Sequence, residues 1–337
     1  MPANLTPEYK SAQAAYRKAR DPEERLRLLR EMLRTIPKHK GTDHLQAGIK
    51  SRIKELTEES AGPRKGAARV GPTTVIRREG AAQVALVGPP NVGKSALHAR
   101  LTGSHAQSGP YPFTTQVPQP GMLPCEDVAF QLVDLPSVSR RHPVPWLANA
   151  LQPADGCLLV VDLGEPGCVE QVLEVHEVLV EKRVWLTDSW PADGGPEDED
   201  EDPFSLRLPT LMVATKADLV ARLEDELAAF GELTGRRYPS LAGSAATGDG
   251  LDRIGPWLLD RLGIVRVYTK APGRPPDLGR PYTIRQGQTV LDVAVLVHKE
   301  LAESLKYARL WGGNAFDGRQ VGRDHPLSDG DVVELHP

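Results

Sequence analysis

"GPPNVGKS", residues 88 to 95, directly follows the apolar run "QVALV" and opens a stretch of helical composition. The octet fits G-x-x-x-x-G-K-[ST], and a strand in front with a helix behind is the context that pattern needs. Backbone N–H groups of such a loop, together with the next helix N-terminus, present fixed partial positive charge to a phosphate. Gly88, Pro89, Asn91, Val92, Gly93, Lys94, Ser95 and Ala96 therefore form a candidate phosphate cradle. Lys94 is placed to reach β- and γ-phosphates, and Ser95 to hold Mg²⁺ through its hydroxyl.

Base choice is written further on. "ATKAD" (214 to 218) ends an apolar run, where an N/T-K-x-D element reads guanine. The Asp218 carboxylate only accepts, which matches the paired N1–H and N2–H donors that guanine has and adenine lacks. A site built on such a pair rejects the wrong base, because the carboxylate is otherwise left unpaired. Lys216 covers the base with its aliphatic stem. Thr215 stands where asparagine is commoner, which weakens the bracing of the loop. Ser244, Ala245 and Ala246, in "GSAATGDGLD", suit a second base loop whose backbone N–H meets the guanine oxygen. GTP or GDP with Mg²⁺ is the expected ligand set, and Asp218 argues against ATP.

Between phosphate loop and base loop lie two candidate switches. "SGPYPFTTQVPQPG" (108 to 121) offers Thr115, or else Thr114, as a Mg²⁺ contact made when a γ-phosphate is present. "QLVDLPSVSRR" (131 to 141) is a buried run ending at Asp134, expected to bind Mg²⁺, usually through water. The fourth residue of that D-x-x-G-like element is Ser137. Its backbone N–H can serve the γ-phosphate as a glycine's would. A serine forced into a left-handed conformation costs about 1–2 kcal/mol, so a weakened switch is expected unless the local fold presents Ser137 with φ < 0. No glutamine follows to orient water; Val138 stands there. His142 is read as an exposed loop histidine rather than a general base.

Four apolar runs, "AQVALVG", "AFQLVDL", "GCLLVVDL" and "TLMVATKAD", alternate with helical stretches. Such runs suit a parallel sheet covered on both faces. The acidic, Gly- and Pro-rich "ADGGPEDEDEDPF" (192 to 204) reads as a surface loop. Before the sheet, Leu26, Leu29, Met32, Leu33 and Ile36 form one helical stripe, and Leu45, Ile49, Ile53 and Leu56 a second. With the turn "KHKG" between them, and Thr42 as the second helix's cap, they predict an antiparallel hairpin. After about residue 265, "VRVYT", "RPYTIR", "YARLW" and "DVVELH" read as strands. Thr289 and Asp292 make a capping signal for the helix "VLDVAVLVHKELAESL". A small mixed sheet with one helix is β-grasp-like.

Charge is uneven. Of the chain's 41 Lys/Arg and 45 Asp/Glu, residues 1–69 hold 16 and 9 and residues 265–337 hold 10 and 9, so 70–264 hold 15 and 27. A net of +7 beside a net of −12 either marks an end that meets a polyanion or is an ordinary solvated helix surface. The 3 cysteines, Cys125, Cys157 and Cys168, have no metal-like spacing and point to a reducing compartment. With no apolar run of membrane-spanning length and no signal-peptide pattern at the start, a cytoplasmic protein is expected.

The residues resemble the Obg superfamily of GTPases, and within it the developmentally regulated GTP-binding (DRG) branch. The stretches that carry this are "MLRTIPKHKGTDHLQAGIKSRIKELTEE", "VALVGPPNVGKSAL…YPFTTQVPQPGML…LVDLP" and "RVYTKAPGRPPDL…VHKELAESLKYARLWG…VGRDHPLSDGDVVELH". The resemblance implies an α/β fold in which a helical hairpin (1–65) precedes a P-loop GTPase domain (66–264) and a C-terminal TGS β-grasp domain (265–337). It implies GTP hydrolysis, association with the ribosome or RNA through the hairpin and TGS domain, and K⁺ held partly by Asn91. Asn91, Lys94, Thr115 and Asp134 are its catalytic candidates, with Ser95, Thr115 and Asp134 as metal ligands. DRG proteins carry a basic insert in the GTPase domain, where this chain has the acidic segment 192–204. Hydrolysis is expected to be slow; the alternative is a GTP/GDP-binding adaptor with little or no turnover. The sequence leaves oligomeric state open.

Overall fold

The computed structural model describes residues 6–19, 21–37, 42–60, 76–104, 117–194, 204–312 and 315–337. It opens with α1 (Pro7–Lys18), α2 (Pro22–Thr35) and α3 (Asp43–Ser60). The two stripes meet as expected, with Leu29, Met32, Ile36, Ile49 and Leu56 buried in one cluster. The hairpin gains a third member, because α1 adds Tyr9, Ala12 and Tyr16 to that core. Small alanines and tyrosines carry α1's buried face, which is why no Leu/Ile stripe announced it. Thr42 precedes α3, and its hydroxyl donates to the Pro37 carbonyl at 2.5 Å.

The acidic segment ends in a contact its composition did not suggest. Residues 195–203 lie outside the described residues, but Phe204 packs against the N-terminal core. Its ring meets Tyr16 edge-on, centroids 6.4 Å apart at 69°. The expectation of a surface loop therefore fails at its last residue, where an aromatic side chain has apolar area to bury.

The first sheet contains β1 (Ala82–Val87), β2 (Gln119–Cys125), β3 (Val128–Asp134), β4 (Gly156–Asp162), β5 (Val184–Thr187), β6 (Leu206–Thr215) and β7 (Ser240–Ala242). Its order is β2-β3-β1-β4-β6-β5, with β7 paired to β6. All pairs are parallel except β2 with β3, an antiparallel hairpin. Helices α4 (Lys94–Thr102), α5 (Leu147–Leu151), α6 (Cys168–Glu181), α7 (Leu223–Thr234) and α8 (Ile254–Arg261) cover it. Residues of α5, α6 and α7 join one core, and those of α4 and α8 the other. Coverage on both faces explains why all of β1 and β4 is buried and why their sequences do not alternate. Pro120, Gly121 and Pro124 disguise β2 in the sequence; as an edge strand it tolerates them.

The last unit is a five-stranded sheet of β8 (Ile264–Thr269), β9 (Asp277–Arg285), β10 (Tyr307–Gly312), β11 (Ala315–Val321) and β12 (Asp331–His336), in the order β11-β10-β12-β8-β9. The Thr289–Asp292 capping box forms, the Asp292 carboxylate accepting the Thr289 N–H at 2.7 Å. The helix it starts is not continuous. It divides into α9 (Val290–Val297) and α10 (Lys299–Ser304) at His298, whose backbone is extended. The break lets Ala302 and Leu305 join the same core as Val290, Val293 and Ala294.

This sheet is tied to the first. Arg266 of β8 meets Glu126 and Asp127 at the β2–β3 turn, with Asp127 at 3.0 Å, and also Asp329 at 2.7 Å. These hydrogen bonds, led by that to Asp329, push the Arg266 pKa up despite partial burial. The Tyr268 hydroxyl donates to Asp127, and Arg285 reaches Asp155 at 3.1 Å beside Arg78.

Candidate functional site

The phosphate loop joins β1 to α4 as its sequence requires. A Cβ at Gly88 would strike the Val160 carbonyl of β4, so only glycine lets the loop leave the sheet there. Asn91 takes a left-handed conformation (φ 63°), which asparagine tolerates better than most. Gly93, at φ 87°, turns the chain into α4.

Lys94 is buried, and its ammonium uses all three protons. It donates to the Gly88 carbonyl at 3.2 Å, the Pro89 carbonyl at 3.0 Å and the Ser137 hydroxyl at 2.9 Å. Burial pushes its pKa down to about 8, opposed by the nearby Asp134 carboxylate. Ser95 donates to Asp134 at 2.5 Å, which sets two hard oxygens side by side. Among the described residues no three His, Cys, Asp or Glu side chains cluster as a metal cage. Two protein oxygens with the remainder from phosphate and water is the arrangement Mg²⁺ favours, so Ser95 and Asp134 fit that ion. The third expected ligand, Thr115, lies outside the described residues, as does Thr114.

The segment after β3 is anchored on both sides of Ser137. Leu135 and Val138 are buried in the core beneath α5 and α6, and Val138 donates its N–H to the Gly88 carbonyl at 3.1 Å. The non-glycine residues with positive φ among those described are Asn91, Glu126, Arg183 and Lys216. Ser137 is not one of them, so the left-handed strain expected of it is absent from this conformation. The Val138 side chain is buried in that core. His142 is exposed, as expected.

The elements expected to read the base assemble at the same end of the sheet. Thr215, buried at the end of β6, places its hydroxyl 2.6 Å from the Val92 carbonyl and 3.1 Å from that of Val161. The bracing is therefore present, though one proton serves two acceptors. Lys216, at φ 53°, donates to the Asn91 carbonyl at 3.3 Å and pairs with Asp162 at 2.6 Å. Asp218 follows on an exposed 3-10 turn, Ala217–Leu219. The Ala217 N–H donates to Gly243 at 3.3 Å, which holds the second base loop alongside. In that loop the Ser244 hydroxyl accepts the N–H groups of Ala246 and Thr247, each at 3.2 Å, with Ala245 between.

Asp162 joins the candidate site without being singled out by the motifs alone. It ends β4 in register with Thr215 and orients Lys216, and its carboxylate also accepts the Gly164 N–H at 3.0 Å. The signal is present in the chain, since "LLVVDL" has the same apolar-run-then-aspartate form as "QLVDL".

Residues 83–187 match the 50S ribosome-binding GTPase family, and residues 265–336 match the TGS domain. A GTP-binding protein of Methanocaldococcus jannaschii is 27% identical over 368 residues, 93% of this chain and 92% of its own length. Developmentally-regulated G-protein 1 of Arabidopsis thaliana is 27% identical over 90% of this chain and 88% of its own. Ribosome-interacting GTPase 1 of Saccharomyces cerevisiae is 25% identical over 93% and 98%. Among solved structures, the YchF GTPase of Schizosaccharomyces pombe aligns with a TM-score of 0.50 at 12% identity, covering 77% of this chain and 99% of that one, a likeness of fold. With a phosphate loop at the end of β1 and a β-grasp unit after the first sheet, the chain carries a P-loop GTPase domain followed by a C-terminal TGS domain, and is similar along most of its length to the developmentally regulated GTP-binding proteins.

Proposed function

We propose that this protein binds GTP and GDP with Mg²⁺, hydrolyses GTP slowly, and acts in the cytoplasm in contact with ribosomes or RNA. The observation that carries the nucleotide reading is the convergence of three groups on one end of the first sheet. These are the Lys94 ammonium, the Ser95–Asp134 oxygen pair and the Thr215–Lys216 strand end. Lys94 would hold phosphate oxygens, Ser95 and Asp134 would hold the metal, and Asp218 would accept the guanine donors. Mg²⁺, when bound, would neutralise developing phosphate charge. Asn91 is exposed at the loop's edge, where a K⁺ ion could share that task.

Slowness rests on Val138. Its side chain is buried in the core, so this chain supplies no water-orienting group from that position. The same observation supports the second reading, an adaptor that binds nucleotide with little turnover. The ribosome or RNA reading rests on the basic N-terminal segment, with Lys50 and Lys54 exposed on α3, and on the yeast relative's name. Lys38 and Lys40 of that patch lie outside the described residues. Among the described residues no helix is long and apolar enough to cross a membrane.

Single-turnover hydrolysis of GTP, with and without K⁺, separates the two readings. Slow turnover that K⁺ accelerates is expected of the enzyme, and tight binding with no turnover in either salt would establish the adaptor. Equal affinity for ADP and GDP would sink both.

A further inference from the structure

We propose that the Ser137 side-chain hydroxyl is a ligand for the terminal phosphate and sets this protein's preference for GTP over GDP, a role beyond that of the backbone N–H a glycine would share. The inference rests on the guanine-nucleotide reading above. Of the three acceptors around the Lys94 ammonium, two are carbonyls of the phosphate loop itself, and the third is Ser137. Its hydroxyl is the contact that arrives from the other wall of the site, the segment following β3. An incoming phosphoryl oxygen that takes the Lys94 proton facing this wall lies next to that hydroxyl.

The proton bookkeeping gives the sign of the effect. The Ser137 oxygen accepts from an ammonium, which has no lone pair to accept in return, so the hydroxyl proton must point elsewhere. Lys94 and Ser137 can then offer two donors to one phosphoryl group. A hydrogen bond from a neutral hydroxyl to a charged oxygen is among the stronger ones. The presentation is rigid. Pro136 fixes its own φ, and Leu135 and Val138 are buried on either side. The Leu135 N–H meets the Leu86 carbonyl at 3.4 Å, and that of Val138 meets Gly88 at 3.1 Å. Ser137 itself is only half-buried, at the mouth of the site. Asp134, three residues before Ser137, pairs with Ser95, so the hydroxyl belongs to the same segment as an oxygen suited to the metal that β- and γ-phosphates share.

Calorimetric affinities for GDP and a non-hydrolysable GTP analogue, both with Mg²⁺, test this on the full chain as wild type, Ser137→Ala, Ser137→Gly and Ser137→Thr. Thermal melts establish that each variant is folded. Ser137→Ala and Ser137→Gly should lose analogue affinity by about tenfold to a hundredfold, with GDP affinity changed by less than about threefold. Ser137→Thr keeps a hydroxyl and should keep the preference. An unchanged analogue-to-GDP ratio in Ser137→Ala overturns the inference while leaving the nucleotide reading intact. Tighter binding of both nucleotides would instead make Ser137 a competitor for Lys94, and a higher analogue affinity in Ser137→Gly alone would restore backbone strain as the cause. A wild type that binds neither nucleotide removes the reading on which all of this stands.

Discussion

The Thr215 hydroxyl lies 2.6 Å from the carbonyl oxygen of Val92, which ties the end of β6 directly to the phosphate loop. The same hydroxyl is 3.1 Å from the Val161 carbonyl, yet it has a single proton to give. An asparagine amide has two. Thr215→Asn should therefore hold both carbonyls and raise nucleotide affinity severalfold. Thr215→Val keeps the shape, loses the donor, and should lower stability by about 1–2 kcal/mol. Urea melts and GDP titrations of the two variants check this. A valine variant as stable and as tight as wild type would show that the brace is idle.

Base choice is open to a chemical swap. Asp218→Asn should lose GDP affinity and gain affinity for xanthosine diphosphate, in which an oxygen replaces the guanine N2 amino group. Competition among ADP, GDP and xanthosine diphosphate measures it. If the variant favours GDP as the wild type does, Asp218 does not read the base.

Lys94 gives the protein a pH signature. Burial holds its pKa near 8 when it is ordinarily 10.5, so between those values the unfolded chain carries more protons than the folded one. Stability arising from this group therefore rises with pH across that window and is lowest below it. Phosphate binding reverses the shift, because an anion favours the ammonium. Binding of GDP at pH 8 should thus take up about half a proton, and affinity should decline as pH rises further. Calorimetry in two buffers of different ionisation heat, held below the range where guanine itself ionises, reads the uptake. Lys94→Ala should abolish it along with most of the affinity for both nucleotides.

For polyanion binding, charge reversal is a cleaner probe than truncation. Removing residues 1–60 would uncover Phe204 and create an apolar patch. Lys50→Glu with Lys54→Glu changes two exposed positions and leaves the core alone. Ribosome co-sedimentation should weaken, and the slope of its salt dependence should flatten by about one for each phosphate that the variant no longer neutralises. Unchanged sedimentation would move the binding surface to the C-terminal sheet, and no sedimentation of wild type would remove the idea.

Much of this architecture is legible in the sequence because its signals are local. A phosphate loop needs Gly88, Gly93, Lys94 and Ser95 in one octet, and a strand covered on both faces must be apolar throughout. The capping box at Thr289 is likewise written within four residues. What escapes depends on partners distant in sequence. β2 is legible only once an edge position excuses its prolines, and α1 only once Tyr9 and Tyr16 have a core to enter. His298 breaks a helix whose composition favours continuity, because the sheet below draws Ala302 and Leu305 inward. At the site, Ser137 invites an argument from backbone strain. The structure shifts attention to its side chain, whose significance depends on Lys94, 43 residues earlier.

The β2–β3 hairpin runs from Gln119 opposite Asp134 to Cys125 opposite Val128, an unbroken ladder of seven pairs, about 20 Å long at the usual rise per residue. Such a ladder cannot creep. A slip of one residue turns every side chain to the opposite face, which the buried Phe130 and Leu132 forbid. The ladder thus leads in fixed register from Asp134 to Glu126 and Asp127, which Arg266 clasps. One hairpin therefore has the carboxylate beside the phosphate loop at one end and the cation of the β-grasp unit at the other.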